Sequence, residues 1–130
     1  IKRLVKDFRL LQKLDFGVVA IMPNDTSKYP EDSFNKMKVF ASKYKFSFPY
    51  LYDEKQSVAK AYNAVCTPDF FAFDKNNKLF YRGRLDDIKY MKKQNNRDNS
   101  LVNACEKMIY EKEISKNQIN SMGCSIKWKT

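Results

Sequence analysis

The side chains of this sequence that could perform chemistry are three cysteines and a set of carboxylates. Cys66, Cys105 and Cys124 are widely spaced and odd in number, which argues against a disulfide framework. The chain contains no His, so Ser-His and Cys-His catalytic pairs are excluded and an ordinary four-ligand zinc site lacks donors. Any catalysis must therefore use thiols or carboxylates, and we expect no metal and no cofactor.

Two adjacent carboxylates, Asp86 and Asp87, are the next candidates for acid–base chemistry. Adjacent side chains of an extended chain point to opposite sides, so the two groups are poorly placed to work as a pair. Arg82 and Arg84 are close in sequence. We therefore interpret the two aspartates as salt-bridge or capping residues of the surface.

Hydrophobic spacing predicts the elements that must position these residues. Apolar residues recur every three or four positions from Ile1 to Leu14, which indicates an amphipathic helix. The predicted order continues with a buried strand (17–22), a helix (29–44), a strand (48–52), a helix that Asp53 caps, a strand (69–73), a hairpin strand (79–83) and a last helix near 101–109. Alternation followed by a hairpin predicts an α/β fold, with a mixed central sheet and helices on both faces.

Length and composition are typical of one ordinary domain with its own core. The chain has 130 residues, of which 43% are hydrophobic, and no apolar run approaches the roughly 20 residues of a membrane span. The net charge is +10, but the basic residues are scattered. The richest basic cluster, Lys89, Lys92, Lys93 and Arg97, falls in a polar stretch, so we interpret the charge as a solvated surface and predict neither specific nucleic-acid binding nor membrane binding.

The order of elements, with a Thr-Pro pair just before the hairpin, resembles the thioredoxin fold. The resemblance is closest to its peroxiredoxin-like branch of the alkyl hydroperoxide reductase type. It covers the chain from Ile1 to about Lys112, and the ending 123–129 also looks like that of one group of uncharacterised thioredoxin-like proteins. The motifs that carry it are Tyr29-Pro30-Glu31-Asp32-Ser33-Phe34, Phe48-Pro49-Tyr50-Leu51-Tyr52-Asp53, Val58-Ala59-Lys60-Ala61-Tyr62, Cys66-Thr67-Pro68-Asp69-Phe70-Phe71 and Tyr81-Arg82-Gly83-Arg84-Leu85-Asp86-Asp87.

The resemblance also implies what to expect at the beginning of the sequence. Proteins of this kind carry a strand and a loop with one or two reactive cysteines before the first helix, where the helix N-terminus lowers a thiol pKa. This sequence has no Cys before Cys66. We therefore interpret 1–130 as one thioredoxin-like domain that is N-terminally incomplete, lacking the first strand and the active-site loop, with 113–130 as a C-terminal tail.

The resemblance assigns site residues to the turn before the hairpin. Pro68 is similar to the cis-proline that faces the active-site thiols, and Thr67 and Pro68 would bind the substrate. Cys66, two residues earlier, is either a resolving thiol or a small buried turn residue. Cys124 is either a resolving thiol or part of a tail that docks through Ile126 and Trp128. Cys105 lies on an apolar helix face, where we expect it to pack in the core.

These assignments lead to two hypotheses about function. The first is a thiol–disulfide or peroxide oxidoreductase that uses a protein disulfide or a peroxide as substrate and a thiol electron donor; Cys66 or Cys124 would resolve the intermediate, and the chain 1–130 alone would be inactive. The second is a non-catalytic thioredoxin-fold module that binds an extended peptide beside Pro68. Three unpaired thiols favour a reducing cytoplasm.

Overall fold

The computed structural model describes residues 1–88, 97–116 and 118–130. Its residues group into unit 1, made of Ile1–Val65 and Ser125–Thr130, and unit 2, made of Cys66–Cys124. Lys89, Lys92 and Lys93 of the predicted basic cluster lie outside the described residues.

Unit 1 begins with helix α1 (Lys2–Lys13), as the sequence predicts. The side chains of Val5, Phe8 and Leu11 recur every three residues and are buried, so they form the apolar face of the helix. The ring of Phe8 meets that of Phe48 edge-on, with 4.9 Å between centroids. The apolar face of α1 is therefore buried in the core of unit 1, and the opposite face is exposed to solvent.

The sheet of unit 1 is a short parallel pair. Strand β1 (Ala20–Met22) pairs with β2 (Tyr50–Tyr52), with Ile21 opposite Leu51. The predicted strand 17–22 is longer than the observed one, because only Ala20–Met22 finds partners along β2.

The predicted continuous helix over 29–44 is wrong. A 3-10 turn (Pro30–Asp32) and helix α2 (Phe34–Lys43) are separate elements. Ser33 breaks the helix because its φ of −58° and ψ of 159° are extended, and its hydroxyl accepts a hydrogen bond from the Lys36 N–H at 3.3 Å.

Helix α3 (Ser57–Ala61) follows Asp53, as expected. The Asp53 carboxylate accepts hydrogen bonds from the N–H groups of Val58 and Ala59, at 3.3 and 2.8 Å. These are N–H groups of the first helical turn, which have no partner inside a helix, so Asp53 stabilises this helix start.

The end of the chain, Ser125–Thr130, is an extended terminal segment held within unit 1. Ile126 is 4% exposed, and its N–H donates to the Val65 carbonyl at 3.0 Å. Lys127 exchanges hydrogen bonds with the loop after β1: its N–H donates to Asn24 Oδ1, and its carbonyl accepts from the Asp25 N–H. The sequence predicts docking of this tail through Ile126 and Trp128 as one of two alternatives. Ile126 is buried in the structure, whereas Trp128 remains 37% exposed.

Unit 2 contains the hairpin of β4 (Phe70–Phe73) and β5 (Leu79–Gly83), which pair antiparallel. The Asp74 carboxylate forms the turn by accepting the N–H groups of Asn76 and Lys78, at 2.8 and 3.0 Å. Helix α4 (Ser100–Glu111) packs against β5 and buries Leu101, Val102, Ala104 and Cys105. The core position predicted for Cys105 is thus confirmed.

The predicted mixed sheet is present as separate pairs among the described residues. The parallel pair β1–β2, the antiparallel pair β4–β5 and a third pair, β3 (Cys66–Thr67) with β6 (Cys124–Ser125), are each two-stranded. Parallel and antiparallel pairing therefore both occur, as an α/β fold of this kind requires. In the described part of the chain, every helix is too short or too polar to cross a membrane.

Candidate functional site

The turn that carries the predicted site is built from residues 66–69 of unit 2, directly before β4. Cys66 and Thr67 form β3, and Phe70 begins β4. Between them, the peptide bond from Thr67 to Pro68 is cis, the geometry that the sequence predicts. The structure therefore brings Cys66, Thr67 and Pro68 into one tight turn at the entry to the hairpin.

The Cys66 thiol is half-buried in this turn and points at backbone carbonyls. Its Sγ lies 3.9 Å from the Pro68 carbonyl oxygen and 3.8 Å from that of Ser121, so its single S–H proton donates to one of the two. Burial, followed by the charge of Asp69, raises the pKa of Cys66 above its ordinary value, while a backbone hydrogen bond from Gly123 and the charge of Arg82 oppose the rise. Cys66 is therefore a protonated thiol at neutral pH and a poor nucleophile until it loses its proton.

A buried carboxylate next to Pro68 supplies part of this electrostatic setting. The Asp69 side chain is 6% exposed and forms an ion pair with Arg82 at 3.2 Å. The Arg82 guanidinium also lies over the Phe71 ring, 4.9 Å from its centroid. The Ser121 hydroxyl lies 3.0 Å from Asp69 Oδ1 and 2.6 Å from the Gly83 carbonyl oxygen, and it donates to one of the two. The Asp69 charge is thus held in place close to Cys66.

The segment 118–121 covers the outer edge of β5. Gln118 donates from Nε2 to the Phe80 carbonyl and accepts the Arg82 N–H at Oε1, and the Ile119 carbonyl accepts the Arg84 N–H. An added Cβ at Gly83 would lie 2.5 Å from that Ile119 carbonyl oxygen. Pairing of this edge protects it from other strands and carries Ser121 to Cys66.

Gly123 is a residue of the site that the sequence argument missed. A Cβ on Gly123 would overlap the Thr67 carbonyl oxygen and would lie 3.2 Å from the Pro68 nitrogen. Only glycine lets the chain pass this close to the Thr67–Pro68 peptide. The Gly123-Cys124 pair was available as a signal, but sequence alone does not show which backbone a glycine approaches.

Cys124 follows Gly123 directly and is exposed, whereas Cys66 is half-buried. All three cysteines of the chain are free. Burial raises the pKa of Cys105 to about 12, and its side chain is 1% exposed. Cys105 is therefore unreactive near neutral pH, and Cys66 and Cys124 are the two thiols that can take part in exchange.

Asp86 and Asp87 do not form an acid–base pair. The Asp86 carboxylate binds Arg97 at 2.8 Å, with both side chains less than a tenth exposed, and Asp87 accepts the Asp98 N–H at 2.9 Å. Arg97 therefore pairs with Asp86. The predicted salt-bridge and capping roles are both present, but the expectation that the ion pair lies at the surface is wrong, because both of its side chains are buried. Within residues 1–88, 97–116 and 118–130, no group of three or more metal-ligating side chains is placed to hold a metal ion.

Comparison with known proteins gives a family match over most of the chain. The family model named Redoxin matches residues 3–101. The structure is similar to an uncharacterized conserved protein from Geobacillus kaustophilus, with 40% identity and a TM-score of 0.89 over 98% of this chain and 68% of that one. It is also similar to a hypothetical protein from Sinorhizobium meliloti 1021, with 37% identity and a TM-score of 0.87 over 98% of this chain and 70% of that one. No curated protein sequence is significantly similar to the chain.

Proposed function

Because the chain belongs to the Redoxin family, of thioredoxin-like α/β fold, we propose that it is a thiol oxidoreductase that reduces a protein disulfide or a peroxide at the Cys66–Pro68 turn. The observation that carries this proposal is the position of the Cys66 thiol, half-buried at 3.9 Å from the Pro68 carbonyl oxygen. The electrons come from a thiol donor, and the proposed compartment is the cytoplasm, which keeps free cysteines reduced.

Cys66 acts in this proposal as the resolving thiol. Its raised pKa and its carbonyl contacts keep it protonated at neutral pH, which suits a group that must wait for an intermediate. The first attack belongs to a thiolate other than Cys66 and the buried Cys105. Cys124, which is exposed, is the second candidate for resolution. Thr67 and Pro68 provide the backbone against which the substrate lies.

The chemistry balances as two exchanges at sulfur. With a disulfide, the attacking thiolate forms a mixed disulfide and releases one substrate thiolate; with a peroxide, it becomes a sulfenic acid and releases an alcohol or water. Cys66 then loses its proton, and its thiolate attacks the sulfur of the cysteine that made the first attack. This step forms a disulfide between the two cysteines and releases the second substrate thiol, or water in the peroxide case. Two equivalents of the thiol donor reduce that disulfide and become oxidised to a disulfide themselves.

The test is turnover of a hydroperoxide and of insulin disulfides with a thiol donor, using the protein expressed from its full coding sequence. The proposal predicts that Cys66→Ser lowers turnover at least tenfold, while Cys105→Ala leaves it within about twofold. Cys124→Ser decides between the two resolving candidates. Binding of an unfolded peptide without turnover of either substrate would replace the proposal with a non-catalytic peptide-binding module.

The chain Ile1–Thr130 alone provides a second arm of the same test. We expect it to show little or no activity, because burial raises the pKa of both Cys66 and Cys105, and the first attack in this proposal belongs to neither of them. Turnover by this chain that is lost only in Cys66→Ser or Cys124→Ser would mean that one of these thiols makes the first attack.

A further inference from the structure

Helix α1 carries a stripe of four cations on the face opposite the core of unit 1. Lys2, Lys6, Arg9 and Lys13 follow one another at spacings of four, three and four residues, which places them on one side of the helix. They line an open groove of about 370 Å³. At 1.5 Å per residue, the stripe extends over about 16 Å.

The walls of this groove are partly apolar. Val5, Leu10 and Tyr44 complete its lining. Tyr44 follows α2, and the two helices are joined at this end because the Arg9 guanidinium donates to the Lys45 carbonyl at 2.7 Å. The groove exceeds the roughly 150 Å³ cavity that holds one benzene ring, so it can accept an apolar side chain between the cations.

The cations of the stripe are not neutralised by the chain itself. Among the described residues, the ammonium groups of Lys2, Lys6 and Lys13 take part in no ion pair or side-chain hydrogen bond, and all three residues are exposed. The carboxylate on this helix, Asp7, is completely buried on its other side. A row of like charges with no counter-charge raises the local positive potential and attracts an anionic partner.

We propose that this groove is a docking site for an acidic amphipathic helix of a partner protein. Acidic side chains spaced four residues apart along a helix rise by about 6 Å, the same rise that separates Lys2 from Lys6 and Arg9 from Lys13. We expect an apolar residue of that helix to contact Leu10 and Tyr44, which line the groove. The proposal does not depend on the thiol chemistry assigned to Cys66.

Two other anionic partners fit the groove less well. A single-stranded nucleic acid needs an open aromatic face for stacking. The Tyr44 ring is already covered, because its centroid lies 4.8 Å from that of the Phe40 ring and 5.3 Å from the Lys43 ammonium. A membrane-surface helix needs a free apolar face to insert, but the apolar face of α1 is buried through Val5, Phe8 and Leu11. The mixed lining of cations and apolar side chains favours an acidic peptide.

Fluorescence anisotropy with a labelled amphipathic peptide tests the proposal. The probe carries Glu at the i, i+4, i+7 and i+11 spacing of the stripe with Leu between, and a second probe has Gln in place of each Glu. We expect the Glu peptide to bind at low ionic strength, to weaken as salt is added and to lose about tenfold in affinity in the double variant Lys6→Glu/Lys13→Glu. The Gln peptide should bind at least tenfold more weakly than the Glu peptide.

A double variant of unit 2 provides the matched control. Lys75→Glu/Lys78→Glu makes the same change in net charge at two exposed positions of the β4–β5 turn, so the affinity should change by less than about twofold. Equal loss in both double variants would overturn the proposal, since the binding would then follow net charge alone. The proposal would also be overturned if a single-stranded oligonucleotide, or vesicles with anionic lipid, bound more tightly than the peptide and this binding were lost in Lys6→Glu/Lys13→Glu.

Discussion

Replacing Gln56 with leucine is expected to loosen the terminal segment Ser125–Thr130 from unit 1. Gln56 is 2% exposed, and its side chain reaches both the loop after β1 and the terminal segment. Its Nε2 donates to the carbonyls of Pro23 and Lys127, at 2.8 and 2.9 Å, and its Oε1 accepts the Lys129 N–H at 3.0 Å. Leucine has a similar size and can form none of these three hydrogen bonds.

The free-energy cost can be worked from the partners that remain. The Lys127 carbonyl keeps its hydrogen bond from the Asp25 N–H at 2.8 Å, so losing the hydrogen bond from Gln56 costs this group little free energy. The buried Pro23 carbonyl loses the partner that Gln56 provides, at a cost of about 1–3 kcal/mol. Lys129 is an exposed residue, so the loss of the hydrogen bond from its N–H to Gln56 costs about 1 kcal/mol. The expected decrease in the free energy of unfolding is therefore about 2–4 kcal/mol.

Trp128, the single tryptophan of the chain, lies within the terminal segment and makes this change measurable. Urea denaturation is followed by circular dichroism for the backbone and by tryptophan emission for the segment. In Gln56→Leu, we expect the emission to shift to longer wavelength at a lower urea concentration than the circular dichroism change, because the segment detaches first.

Gln12→Leu is the matched control in the same unit. Gln12 also makes two hydrogen bonds, both with Ser47, but these are exposed and water can replace them. The expected change in its free energy of unfolding is within about 0.5 kcal/mol. A Gln56→Leu protein as stable as Gln12→Leu, with unchanged tryptophan emission, would refute this account of how the segment is held.

Three further predictions concern unit 2. Asp69→Asn should lower the pKa of Cys66 and so speed the alkylation of Cys66 by iodoacetamide at a pH below that pKa. Arg82→Gln should slow this alkylation, because the two charges act on the thiol with opposite signs. A change in the same direction in both variants would contradict the opposite roles assigned to Asp69 and Arg82. Gly123→Ala should displace the chain from the Thr67–Pro68 peptide and lower the melting temperature, whereas Gly17→Ala, whose Cβ meets nothing within 4 Å, should cost much less; equal effects would be evidence against the close approach. Burial raises the pKa of Cys105 from 9.0 to about 12, so the folded state keeps a proton that the unfolded state loses, and stability should fall as pH rises from about 9 to 12. Cys105→Ala should make that fall shallower in urea titrations across this pH range, and an unchanged pH profile would show that Cys105 is not the group responsible.

Sequence patterns predicted the elements with a local signal. The period of α1 follows from Val5, Phe8 and Leu11, and the hairpin turn follows from Asp74, whose carboxylate organises its own neighbourhood. The helix at 29–44 was predicted without its break. The break is confined to the extended backbone of one residue, Ser33, and the spacing of the apolar residues does not reveal the backbone angles of a single residue. The strands predicted over 17–22 and 48–52 are shorter in the structure, because a strand extends only as far as its partner does, whereas the hairpin strand 79–83 was predicted at its observed length.

The candidate site was predicted in part. The Cys66-Thr67-Pro68 turn is local in sequence, so its residues could be named. Ser121 and Gly123 reach this turn from more than fifty residues away, and no periodicity reveals such contacts. The stripe on α1 was visible only as scattered charge, because its significance depends on which face of the helix the core of unit 1 leaves exposed.

Trapping the thiol intermediate tests the proposed role of Cys66 most directly. The protein from its full coding sequence is mixed with a hydroperoxide and a thiol donor, quenched in acid at successive times, alkylated, and digested for mass spectrometry. The account predicts that Cys66 enters a disulfide during turnover and returns to the thiol when the peroxide is exhausted, and that Cys66→Ser accumulates the unresolved sulfenic acid. A Cys66 that stays reduced at every time point, with undiminished peroxide consumption in Cys66→Ser, would contradict the account.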